Sequence, residues 1–187
     1  MDIIDRLKEG NARFQNDALE HQLQDEDRRL ELTGGQSPSV IVLSCADSRV
    51  VPELAFDMGL GEVFVLRVAG NIANTETIAS IEYAVAHLKP TPQAIVVLGH
   101  ESCGAVTAAI GGGDNGYNLN ILLSQIAPAV AATPNGSVNE VVQTNARLHA
   151  KELVDRSAII REAVASGAVK IIPAYYNLGS GAVDFLD

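Results

Sequence analysis

Three short runs of β-branched and aliphatic residues constrain this chain more than any other feature: Val40-Ile41-Val42-Leu43, Val63-Phe64-Val65-Leu66 and Ala94-Ile95-Val96-Val97-Leu98. None alternates polar with apolar side chains, and each is bounded by Gly, Pro or polar residues. A strand with one wet face must alternate, so an unbroken run of this kind predicts a strand covered on both faces. Strands covered twice are joined by crossover helices. Helical spacing recurs between the second and third runs, where Ile78, Ile81, Val85 and Leu88 fall on one face of a segment at about 75–88. A fourth run, Val169-Lys170-Ile171-Ile172, predicts another parallel strand. Tyr175-Tyr176 followed by Asn177-Leu178-Gly179-Ser180-Gly181 predicts a strand end and hairpin turn, with Ala182 to Leu186 as an edge strand. The expected fold is α/β: a mostly parallel sheet of four parallel strands plus an antiparallel edge strand, flanked by helices through right-handed crossovers.

The remaining segments fit around that sheet. Residues 105–110 lead to a glycine-rich turn, Gly111-Gly112-Gly113-Asp114, and helices are expected near 118–131 and 137–166, the latter broken around Ser157. Residues 2–16 and roughly 20–32 read as an N-terminal helical arm with Ile3, Ile4, Leu7 and Phe14 in a narrow apolar stripe, which suggests packing against another apolar surface, a second subunit being one candidate. Gly34-Gly35-Gln36-Ser37-Pro38 breaks the arm and launches the first strand. With no repeat and no linker, the 187 residues read as one domain, an arm over 1–33 and an α/β core over 34–187. Trp is absent and aromatics make up only 4%, so the core rests on Val, Ile, Leu and Ala.

A net charge of -10 excludes the basic footprint of a nucleic-acid surface. No apolar run approaches the ~18 residues of a membrane span, and the N-terminus lacks the layout of a secretory signal, so a cytoplasmic protein is expected. The chain has only two cysteines and is too large to need a disulfide staple. In a reducing compartment their use is thiolate chemistry or metal binding.

In open α/β sheets ligands bind beyond the carboxyl ends of the strands. The first strand runs there into Cys45-Ala46-Asp47-Ser48-Arg49 and the third into Gly99-His100-Glu101-Ser102-Cys103-Gly104. A turn after a strand can aim both side chains of H-x-x-C at one ion. Adding Cys45 gives two thiolates and one imidazole with a fourth position left for water, the pattern of catalytic rather than structural zinc. The spacing alone also allows two buried core cysteines, a Cys45–Cys103 redox pair and a core histidine. Asp47 and Arg49 flank Ser48, so a guanidinium can keep the carboxylate ionised and oriented. That carboxylate can accept a hydrogen bond from a water on the metal, become the fourth ligand, or staple the loop as an ion pair. Two other patterns fail: His100-Glu101-Ser102-Cys103-Gly104 lacks the first Gly of a nucleophile elbow, and Gly111–Gly113 lacks the Lys of a phosphate loop.

The string Cys45-Ala46-Asp47-Ser48-Arg49-Val50, with Gly99-His100-Glu101-Ser102-Cys103-Gly104 far downstream, resembles the β-class carbonic anhydrases. The likeness extends to Gly34-Gly35-Gln36-Ser37-Pro38, to Val65-Leu66-Arg67-Val68-Ala69-Gly70-Asn71-Ile72, to Ser80-Ile81-Glu82-Tyr83-Ala84-Val85 and to Ala174-Tyr175-Tyr176-Asn177-Leu178 with Gly181, essentially the whole chain. The resemblance implies zinc-dependent reversible hydration of carbon dioxide to bicarbonate and a proton. It makes Cys45, His100 and Cys103 the ligands of one Zn2+ per chain, and Asp47 and Arg49 the catalytic dyad, with Asp47 a ligand only in a closed state. Gln36, Phe64, Tyr83 and the Gly104 amide then bind substrate in a narrow pocket partly supplied by a partner subunit. It also implies a homo-oligomer, dimer or tetramer, whose N-terminal helices wrap the neighbour. Relatives on this scaffold hydrolyse carbonyl sulfide or carbon disulfide, and a non-catalytic zinc or thiol protein would lack Asp47 or Arg49. Some members hold bicarbonate in a Trp-Arg-Tyr regulatory pocket. A chain without Trp is expected to lack it and to keep Asp47 paired with Arg49. No proton shuttle is identifiable; His87 and His149 read as surface residues.

Overall fold

The computed structural model describes residues 2–187. The unalternated runs become β1 (Val40–Ser44), β2 (Val63–Arg67) and β3 (Ala94–His100), and β4 (Lys170–Tyr176) and β5 (Val183–Phe185) complete a five-stranded sheet. The order is β2-β1-β3-β4-β5, parallel throughout except for the antiparallel β4–β5 pair. Every residue of β1 and of β3 is buried, as an unbroken apolar strand requires, whereas β2 departs from the expected cover on both faces: it is the edge strand, and Val63, Phe64 and Val65 are only partly buried.

Side chains one residue apart serve opposite layers. Ile41, Leu43, Ile95 and Val97 face a core closed by α4 (Thr75–His87), α8 (Val138–Arg156) and α9 (Ala158–Ala165). Val40, Val42, Ala94, Val96 and Leu98 face a second core closed by α1 (Ile3–Gln15) and α3 (Pro52–Ala55). The third apolar cluster sits beyond the carboxyl edge, where α5 (Gly104–Gly111), α6 (Tyr117–Ser124), α7 (Ala127–Ala132) and the start of α8 roof over Cys45 and Cys103. The break at Ser157 is as expected: its hydroxyl caps α9 by accepting from the Ile160 amide and donates to Glu82 at 2.6 Å.

Several boundaries differ from expectation. The second half of the arm is helical only over α2 (Glu26–Glu31), which buries no residue. Residues before it take left-handed turns at His21 and Leu23 because the loop is held from outside. Asp57 accepts from the Glu20 amide at 3.1 Å, and Leu60 donates to the Leu23 carbonyl at 2.9 Å. The stripe on α1 covers this chain's own sheet: Ile3 and Leu7 enter the second core, and a side chain at Gly10 would collide with the Phe56 carbonyl. Asn11 ties the parts together, donating to Ala55 and Gly181 and accepting from Val183. The helix expected at 118–131 is two, α6 and α7. The strand expected at 169–172 runs on to Tyr176 through Pro173. Pro173 is tolerated because its carbonyl accepts from Leu186, so its ring nitrogen also faces the end of β5 and the ladder to β3 is spared. Among the described residues no helix is long and apolar enough to cross a membrane.

Candidate metal centre

Parallel pairing of β1 with β3 sets Ser44 beside Leu98, so the next residues of both strands leave the sheet at one edge. His100 is the last residue of β3. The turn after it is left-handed at Ser102 (φ 54), whose amide donates to Asn139 of α8 at 2.9 Å. That turn returns the chain so that Cys103 is the N-cap of α5. The ligating atoms of Cys45, His100 and Cys103 all lie within 4.8 Å of one another, and all three residues are buried.

The imidazole is set up to ligate through one nitrogen. His100 Nδ1 stands 2.9 Å from the Glu101 carbonyl, which accepts its proton and leaves Nε2 with a lone pair. Nε2 is buried without a hydrogen-bond partner and lies 3.8 Å from Asp47 Oδ2. Two buried free thiols beside an unpartnered imidazole nitrogen are a donor set that fits a tetrahedral metal with one position to spare. Backbone amides favour charge on both sulfurs: Gly70 donates to Cys45 Sγ at 3.4 Å, and the Ala105 and Val106 amides at the start of α5 point at Cys103. The Cys103 hydrogen bond, then His100 and the Gly70 and Asp47 amides, pull the Cys45 thiol down to about 4 against burial. The Cys45 thiolate and burial push Cys103 up. Burial opposes protonation of His100, but the same thiolate outweighs it and raises the imidazole.

Asp47 and Arg49 form a two-pronged pair, Nε to Oδ1 at 2.9 Å and Nη2 to Oδ2 at 2.8 Å, and the Arg49 amide adds a third bond at 3.0 Å. The Arg49 fork holds the Asp47 carboxyl well below the usual carboxylate range. Arg67, at the end of β2, clamps the same loop by donating to the Cys45 carbonyl at 2.9 Å and the Asp47 carbonyl at 2.5 Å. Arg67 carries no role in the sequence reading, although a cation ending an apolar run was its visible signal.

The structure thus gathers Cys45, Asp47, Arg49, His100 and Cys103, and starts α5 at Gly104, whose surroundings are open. It does not bring Gln36, Phe64 or Tyr83 to them. Gln36 is exposed ahead of β1, so the strand itself separates it from Cys45. Phe64 pairs with Ile41 and lines a cleft of about 420 Å³ on the open edge of β2, with Arg67, Asn74, Thr77 and Ser80. Tyr83 is 52% exposed on α4, its ring 5.4 Å from that of His87. His87 is exposed, but His149 is buried, contrary to its reading as a surface residue. Its Nδ1 lies 3.0 Å from the Glu152 carboxylate one turn along α8 and 3.3 Å from the amide of Ala73, a neighbour from distant chain that no local pattern reveals.

Fold and cluster together define the class: a parallel α/β domain with a buried group of two thiols and one imidazole, fit for a metal ion, at the carboxyl edge of its sheet. A family model described as carbonic anhydrase matches residues 40–183. Carbonic anhydrase 2 of Mycobacterium tuberculosis is 39% identical over 94% of this chain and 87% of its own length. The carbonic anhydrase of Mycolicibacterium smegmatis is 38% identical over 95% and 89%. Among solved structures, a β-carbonic anhydrase of Sordaria macrospora, one of two described as tetrameric, superposes with a TM-score of 0.78 at 29% identity, covering 98% of this chain and 96% of that one. The β-carbonic anhydrase of Coccomyxa in complex with acetazolamide gives 0.77 at 27% identity, covering 100% and 87%. The chain belongs to the β-carbonic anhydrase family of enzymes.

Proposed function

We propose that this chain catalyses the reversible hydration of carbon dioxide to bicarbonate and a proton, with Cys45, His100 and Cys103 holding one zinc ion. The observation that carries the reading is the buried, unpartnered His100 Nε2, set between two free thiols and the Asp47 carboxylate. When bound, zinc supplies Lewis acidity and lowers the pKa of water toward neutrality. Two thiolates offset its charge, so that lowering is smaller than at a site of three imidazoles.

The remaining work belongs to the chain's own side chains. Asp47, kept ionised and oriented by Arg49, accepts a hydrogen bond from the attacking water and turns its lone pair toward the carbon of the substrate. The Gly104 amide opens α5 beside Cys103, where it can donate to an oxygen of the forming bicarbonate. Gln36, Phe64 and Tyr83 serve as substrate-side residues across a subunit boundary: they lie apart from the cluster of their own chain, and a second copy can supply them. The working unit is therefore a homodimer, or a tetramer built from dimers. Two free thiols in the ligand set fit a reducing compartment such as the cytoplasm.

Metal analysis of the purified protein beside a stopped-flow carbon dioxide hydration assay tests the reading. The expected result is one zinc per chain and measurable turnover, both lost in Cys45→Ser. Turnover that survives the loss of metal refutes it.

A further inference from the structure

Two consecutive residues beside Cys45 adopt left-handed backbone, Gly70 at φ 72 and Asn71 at φ 44. Such a pair persists only where its surroundings hold it, and here one side chain does so from far along the sequence. Asn145 of α8, 1% exposed, donates from Nδ2 to the Gly70 carbonyl at 2.9 Å, while the Gly70 amide donates to Cys45 Sγ at 3.4 Å. The other end of the Asn145 side chain, Oδ1, is buried without a partner, so its one hydrogen bond is spent on Gly70. One turn further along α8, His149 packs against the far side of the same segment, its Nδ1 3.3 Å from the Ala73 amide nitrogen.

We propose that Asn145 is a positioning residue of the metal centre: by gripping the Gly70 carbonyl it keeps the Gly70 N–H on the Cys45 sulfur and so limits the charge that this thiolate donates to a bound metal. The inference rests on the metal-binding reading above. A hydrogen bond to a coordinated sulfur withdraws electron density from it. Groups that orient the ligands from behind change metal affinity by about 10- to 100-fold when removed.

The test compares Asn145→Ala with Leu153→Ala, a control on the same helix whose fully buried side chain packs in the core under α9. Zinc affinity is read by chelator competition, and the sulfur-to-cobalt charge-transfer band is read in cobalt-substituted protein. Asn145→Ala is expected to bind zinc about tenfold more weakly, because loosening the segment that orients the Cys45 sulfur outweighs the extra charge that sulfur donates, and to move the band to longer wavelength, because a thiolate without its N–H gives up an electron more easily. Leu153→Ala is expected to lose stability and leave both readings in place. If the two variants behave alike, the assignment of Asn145 is wrong. Should Asn145→Ala not fold, the wild-type protein loaded with cadmium-113 decides: a scalar coupling between the Gly70 amide proton and the metal through Sγ is expected, and its absence overturns the proposal. Wild-type protein that takes up no metal overturns the metal reading itself, whereas metal uptake with unchanged Asn145→Ala readings overturns only the role of Asn145.

Discussion

Gly99 stands between Leu98 and the ligand His100, where β3 passes under α8. A methyl group added there would lie 2.7 Å from Val142 Cγ1, 3.4 Å from the Val142 carbonyl oxygen and 3.7 Å from Ala146 Cβ. Carbon atoms settle at about 3.5 Å or more, so Gly99→Ala needs an opening of roughly 0.8 Å. β3 cannot supply it, being hydrogen-bonded to β1 on one side and β4 on the other. Val142 cannot swing aside at low cost either, because a valine on a helix is held to one rotamer. The helix must therefore lift. Overpacking of this kind costs about 1–3 kcal/mol, which in a domain of this size lowers Tm by about 2–12 °C. Because α8 also carries Asn139 and Asn145, the lift loosens the turn that bears Cys103 and the Gly70 segment that donates to the Cys45 sulfur, and zinc affinity falls with stability. Val142→Ala removes the clashing methyl groups, so the double variant should be less destabilised than the sum of its parts by about 1 kcal/mol or more. Urea denaturation of the four proteins, with and without zinc, measures this. A Gly99→Ala protein as stable as wild type, or strictly additive costs, refutes the claim that this close approach sets the position of His100.

Arg67→Met keeps the length of the side chain and removes both donors to the Cys45 and Asp47 carbonyls. Arg67 is exposed, so the loss of stability should be only about 1 kcal/mol, while zinc affinity by chelator competition should fall about tenfold; unchanged affinity contradicts the clamp. Asp57 is pushed up by burial, but Arg13 at 2.6 Å and the Glu20 and His21 amides outweigh this and hold it below the ordinary carboxylate value. Its contribution is complete above that ordinary value and is lost as pH falls through the lower folded one. Asp57→Asn should thus be less stable by about 2 kcal/mol at pH 7, with the gap closing below about pH 4; an equal gap at pH 3 and pH 7 contradicts an ionised Asp57.

Burial on both faces is written locally, residue by residue, and this is why the apolar runs 40–43 and 94–98 identify buried parallel strands without any knowledge of their neighbours, while the run 63–66 gives a parallel strand that its place at the sheet edge leaves only partly buried. The metal ligands are legible for the same reason. Cys45 and His100 sit at or just past the ends of such runs, and a parallel sheet brings its carboxyl ends to one edge. What escapes the pattern is set by partners distant in sequence. Residues 20–25 leave the helical form because Asp57 and Leu60 capture their backbone, and the stripe on α1 meets this chain's own sheet because Gly10 lets it approach Phe56.

The sequence by itself determined that this chain builds a mostly parallel α/β sheet with two thiols and an imidazole at its carboxyl edge, since strand burial and strand ends are properties of short segments. Only the tertiary structure decided what holds that group in place. The Arg67 grip on the Cys45 loop spans 22 residues, and the Asn145 grip on Gly70 spans 75. Hydrogen bonds over such separations depend on where the folded backbone delivers each donor, which no local spacing encodes.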